Sequence, residues 1–170
     1  ELGNIYLPKQ VPVTELPEER MQFTLGMYGE GDFFTMKGVI EEFLYKAGMK
    51  LKPEYDPEAG KPFLHPGRQA NVVYDGTVIG YLGEVHPTVA ANYAIKERVY
   101  VAVLDMPEIV SRASFDHKYE GIAKFPAAAR DISMVVPKKV LAGDIEKIFD
   151  EKGGQFLEKY DLFDIYEGAQ

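Results

Sequence analysis

Asn71-Val72-Val73-Tyr74-Asp75-Gly76-Thr77-Val78-Ile79-Gly80-Tyr81-Leu82 is the stretch on which the fold turns. Two runs rich in β-branched and aromatic residues flank Asp75-Gly76, a pair that tolerates the positive φ of a two-residue hairpin turn. The reading is an antiparallel hairpin with strands over 71–74 and 77–82. Downstream, His86-Pro87 opens a short helix that reaches about Ile95, with Pro87 at a first-turn position. Val99 to Leu104 reads as a further strand, and Pro107 to Arg112 as a short helix.

Upstream lies the strongest helix signal. Phe33, Met36, Ile40, Phe43, Leu44 and Ala47 recur at steps of three and four, which is one helical face. Asp32 precedes them as an N-cap, and Gly48 suits the left-handed position past the C-terminus. Residues 4–7 and 22–28 read as strands around a proline-containing loop from Pro8 to Arg20. Residues 50–68, with four prolines, read as an irregular loop.

Past Ser114 the pattern resets. Ile132 to Val136 predicts a strand, Ala142 to Lys152 a helix ended by Gly153-Gly154, and Phe156 to Tyr166 a second strand. That is a βαβ unit, so a domain boundary falls near residue 116, dividing the chain into 1–116 and 117–170. The fold class is α+β, an antiparallel sheet with helices followed by a small βαβ unit. The chain opens on Glu1-Leu2-Gly3-Asn4, without Met, and reads as part of a longer polypeptide.

The composition narrows the function. At 170 residues and 46% hydrophobic, the chain can bury a core. Its lack of Cys removes disulfide scaffolds, thiolate metal sites and cysteine nucleophiles. No apolar run approaches the roughly 20 residues of a bilayer span. The formal charge of −8 argues against nucleic acid over most of the surface. One window disagrees: residues 118–139 carry five basic side chains against two acidic ones, with Tyr119 and Phe125 interleaved. Lys118, Lys124 and Arg130 there are candidate phosphate contacts, and an ordinary basic edge strand is an equal reading.

Three histidines and few serines leave little room for a catalytic constellation. His65-Pro66-Gly67-Arg68 offers a guanidinium that can clamp a carboxylate or phosphate, or complete a structural turn. Glu84 and His86, two apart, suit an acid–base pair, or His86 caps the helix that Pro87 opens. No metal-ligand spacing, phosphate loop or nucleophile elbow occurs, so no metal or cofactor is expected in this chain.

An ordered series of motifs carries a resemblance. It runs Asp32-Phe33-Phe34-Thr35-Met36-Lys37-Gly38, Leu64-His65-Pro66-Gly67-Arg68-Gln69-Ala70, and Ile79-Gly80-Tyr81-Leu82-Gly83-Glu84-Val85-His86-Pro87. Lys124-Phe125-Pro126-Ala127-Ala128-Ala129-Arg130-Asp131 and Leu162-Phe163-Asp164-Ile165-Tyr166-Glu167-Gly168 complete it. The series resembles the C-terminal half of the β subunits of bacterial phenylalanyl-tRNA synthetases. One departure is Ala129, where that family's pattern leads one to expect a second basic residue before Arg130.

The resemblance implies a class II synthetase-like module without catalytic residues, then the first half of a ferredoxin-fold anticodon-binding domain. It implies a cytoplasmic heterotetramer with a catalytic α subunit, and binding of tRNA(Phe). ATP and Mg would be bound elsewhere in that holoenzyme. His65, Gly67, Arg68, Glu84 and His86 would form a structural turn or border the subunit interface. Two other classes stay open: a free-standing small-molecule enzyme using Glu84, His86 and Arg68, and a pure protein–protein module.

Overall fold

Six strands of the first unit form one sheet, ordered β1-β2-β6-β5-β4-β3 and antiparallel throughout. They are β1 (Leu2–Leu7), β2 (Glu18–Tyr28), β3 (Glu54–Asp56), β4 (Leu64–Tyr74), β5 (Thr77–Val85) and β6 (Val99–Asp105). Three helices join them: α1 (Phe33–Lys46), α2 (Pro87–Asn92) and α3 (Met106–Arg112). The computed structural model describes residues 1–116, 119, 121 and 124–166. The chain divides into two units, Glu1–His117 and Lys118–Gln170.

The β4–β5 hairpin turns on Asp75 and Gly76, at φ 48° and 71°, as its sequence dictates. Asp32 caps α1: the Thr35 amide donates to its carboxylate at 2.7 Å, and the Thr35 hydroxyl accepts from the Asp32 amide at 3.3 Å. Past the helix end, Gly48 sits at φ +86°, where a Cβ would meet the Ser114 carbonyl at 2.8 Å. Only glycine fits both demands.

The core lies on one face of the sheet. Leu25, Ala102, Leu82 and Ala70 pair in one row across β2, β6, β5 and β4. Met36, Ile40 and Leu44 of α1 are buried in the same cluster. The stripe works because helix period and strand period both place apolar groups on the shared surface. Burying each such side chain is worth about 1.5–3 kcal/mol.

A bulge interrupts β5. Val73 pairs with Val78 but Val72 pairs with Gly80, so Ile79 is the extra residue. The bulge moves the pairs from Val72 to Gln69 by one position, and a second irregularity lies between Gln69 and Leu64, which pairs with Val85.

Two expectations need correction. Residues 50–68 are not one irregular loop: they contain β3 and the start of β4. The prolines misled because Pro53 and Pro57 flank a short edge strand, and Pro66 lies where the β4 ladder is interrupted, between Leu64 and Gln69. The incomplete βαβ unit is the second correction. In the second unit α4 (Ala142–Lys152) forms as read, with the Leu141 amide donating to the Asp144 carboxylate at 3.1 Å. Among the described residues, however, neither 132–136 nor 156–166 forms a strand. A strand needs a neighbour for its backbone groups, and among the described residues these segments have none. Their apolar side chains face solvent, Val135 at 89% and Phe163 at 78% exposure. A short 3-10 turn at Gly154–Phe156 follows α4. The Phe149 ring stacks on Tyr160 at 5.3 Å. The Tyr160 hydroxyl donates to Asp150 at 2.7 Å, and that bond pushes its pKa up to about 12.

Candidate functional site

Among the described residues Glu84 is the charged side chain buried in the core. It projects from β5 and is met from both neighbouring strands. Arg68 of β4 donates through Nε to Oε2 at 2.6 Å and through Nη2 to Oε1 at 3.1 Å. The Tyr100 hydroxyl of β6 donates to Oε2 at 3.1 Å. Burial opposes the charge on Glu84, but the Arg68 and Tyr100 hydrogen bonds and the nearby guanidinium charges hold its carboxyl below the usual range. The same bond holds Arg68 more firmly protonated. A carboxylate engaged on both oxygens and held ionised is a poor proton acceptor. The group is a clasp across three strands.

The two histidines are each committed to a turn. His65 Nδ1 accepts from the Gly67 amide at 3.1 Å. His86 is the N-cap of α2, its Nδ1 accepting from the Thr88 amide at 3.2 Å, while its own amide donates to the Phe63 carbonyl at 2.9 Å. An accepting Nδ1 puts the ring proton on Nε2. The structure therefore brings Arg68 and Glu84 together and gives His86 a capping role instead.

A second polar cluster escaped the sequence reading. Arg20 Nε meets Asp105 Oδ2 at 2.6 Å, and its Nη2 meets Glu108 Oε1 at 3.4 Å. Arg112 bonds the Glu108 carboxylate and, through Nη2, the Thr77 hydroxyl at 3.1 Å. Asp105 also caps α3 by accepting from the Glu108 amide at 3.3 Å. The cluster ties β2, β6, α3 and the β4–β5 turn together. The signal that finds it is Asp105 before Met106-Pro107, an N-cap followed by an early-turn proline. Tyr100 was missed for a different reason: its partnership depends on cross-strand register.

In the second unit, Lys124 and Arg130 are exposed. Arg130 Nη1 donates to the Ala129 carbonyl at 2.7 Å. Phe125 beside Lys124 is 81% exposed, an accessible ring next to a cation. Lys118 lies outside the described residues. Among the described residues no group of three His, Asp or Glu is arranged to hold a metal ion, and no helix is long and apolar enough to cross a membrane.

Residues 1–106 match the family described as the phenylalanyl-tRNA synthetase beta chain CLM domain, and residues 123–170 match the ferredoxin-fold anticodon binding domain. Similar curated proteins include the phenylalanine–tRNA ligase beta subunits of Clostridium acetobutylicum and Clostridium tetani. Each is 41% identical over 170 residues, covering 100% of this chain and 21% of the relative. That of Bacillus subtilis is 34% identical over 178 residues, covering 99% and 22%. The chain thus spans about one fifth of the length of the curated relatives it matches.

Proposed function

The chain belongs to the phenylalanyl-tRNA synthetase β-chain family, and from that premise we propose that it serves phenylalanine–tRNA ligase as a non-catalytic part. In this reading the first unit is a class II synthetase-like module that packs against the catalytic α subunit of a cytoplasmic heterotetramer. The second unit contributes to binding tRNA(Phe), with Lys124, Arg130 and Lys118 on its phosphates. ATP and Mg would be bound elsewhere in that holoenzyme.

The observation that carries the reading is the order of two family matches on one chain, 1–106 and then 123–170. The geometry agrees with it. Arg68 and Glu84, the pair best placed for chemistry, are spent on each other and on Tyr100. His65, Gly67 and His86 hold turns at the ends of β4 and β5, which supports a structural role for those motifs.

Co-expression with a phenylalanyl-tRNA synthetase α subunit tests the proposal. The expected result is co-purification, with tRNA affinity in the complex that falls steeply with salt. A chain that neither co-purifies nor adds to tRNA affinity contradicts it.

A further inference from the structure

Two lysine–glutamate pairs stand on α1, and they differ. Glu42 and Lys46, 3.5 Å apart, are exposed. Their order, acid before base, is the one that supports a helix by itself. Lys37 and Glu41, 3.0 Å apart, stand in the reverse and weaker order, with side chains only 30% and 31% exposed. What covers this second pair is Tyr55 of β3.

The Lys37 ammonium lies 4.7 Å from the centre of the Tyr55 ring. Tyr55 packs against the core cluster and pairs with Val72 of β4. Burial first, and the nearby Glu41 carboxylate second, raise the pKa of its hydroxyl. Yet neither that hydroxyl nor Glu41 Oε1, both shut off from solvent, completes a well-formed hydrogen bond. Tyr55 is therefore held by its ring, through apolar contact and the cation over its face, and not by its hydroxyl.

β3 needs such a hold. It is an edge strand of three residues with a proline on each side, so its own ladder is short. On the opposite face one side-chain bond helps it, Asn71 Nδ2 donating to Asp56 Oδ2 at 3.1 Å.

We propose that Lys37, Glu41 and Tyr55 form a latch, and that β3 is a strap which the latch holds shut over the β4 edge. The strap opens as a unit while the rest of the sheet stays closed. Shut, it covers the backbone of residues 71–73; open, it bares that backbone. Lys37 is the central part, because one ammonium serves both the Glu41 carboxylate and the Tyr55 ring. The inference is independent of the tRNA reading and of the α subunit.

Native-state amide exchange on the 170-residue chain, repeated at low urea concentrations, tests it. The amides shared by β3 and β4 are expected to exchange at least about 10-fold faster than those shared by β5 and β6. Their rates are also expected to be nearly independent of urea, because opening the strap exposes little surface. Lys37→Met keeps the stem and removes the charge. It is expected to speed the β3–β4 amides by about 5- to 30-fold. Tyr55→Phe keeps the ring and is expected to change them by less than about 2-fold, since the hydroxyl makes no bond to lose. β3–β4 amides that share the urea dependence of β5 and β6 overturn the strap, because β3 then opens only with the whole sheet. Rates unmoved by Lys37→Met overturn the latch, and so does Tyr55→Phe acting as strongly as Lys37→Met.

Discussion

Residues 71–82 and 132–136 carry the same kind of local signal, short β-branched runs, yet only the first become strands. Asn71–Tyr74 has Thr77–Leu82 two residues away, and that hairpin has β6 on its other side. Among the described residues, Ile132–Val136 has no strand beside it. The α4 helix, which begins six residues further on, forms nonetheless, because its hydrogen bonds close within its own segment. A helix can be read from its own residues, whereas a strand can be read only together with its neighbour.

Amide exchange sharpens this contrast with the largest effect. Amides of β5 and β6 open only with the whole sheet, so they are expected to exchange about three orders of magnitude slower than free amides, or slower still. Those of 132–136 and 157–165 are expected to exchange near the free rate. Comparable protection in both regions breaks the comparison.

Core truncation comes next. Leu82→Ala, at 0% exposure in the central row, is expected to destabilise the first unit by about 2–5 kcal/mol in urea unfolding. Ile148→Ala on α4, 58% exposed, is expected to cost under about 0.5 kcal/mol. Equal effects would mean that the second unit has a core of its own.

Tyr100→Phe removes one donor from Glu84 and keeps the ring. The expected loss is about 1–3 kcal/mol, read from the same unfolding curves. A neutral result would show that the clasp rests on Arg68 alone.

The smallest effect is in pH. Because the Glu84 carboxyl is held below its ordinary value when folded, it adds stability above the usual carboxylate range. That contribution is lost as pH falls through the folded value. Asp32, bonded by the Thr35 amide, and Asp56, bonded by the Glu58 amide, act in the same direction. The thermal midpoint of the first unit is expected to fall on acidification, and less steeply in Tyr100→Phe. A midpoint that rises on acidification would contradict the assignment.

These contrasts also explain what the sequence made legible. Asp32 and its stripe, Asp75-Gly76 and His86-Pro87 were readable because each is a local contract between residues two to four apart. Arg68 and Glu84 were singled out by residue type, but their union was hidden. It depends on cross-strand register, which shifts at Ile79 and again between Leu64 and Gln69, and nothing in the residues near Arg68 announces it. Tyr100, Arg20 and Asp105 were hidden for the same reason, since their partners lie on other strands. The prolines of 50–68 concealed an edge strand because an edge tolerates what an interior strand does not.

Assembly with the α subunit is proposed for the first unit and RNA contact for the second. Filter binding of tRNA(Phe) to the complex with the α subunit, across a salt series, separates the two most directly. With Lys124→Glu and Arg130→Glu together, the slope of log affinity against log salt is expected to fall by about 1.4–1.8, the value of two phosphate contacts. Co-purification with the α subunit is expected to persist. An unchanged slope, with affinity intact, would contradict the assignment of RNA contact to these residues.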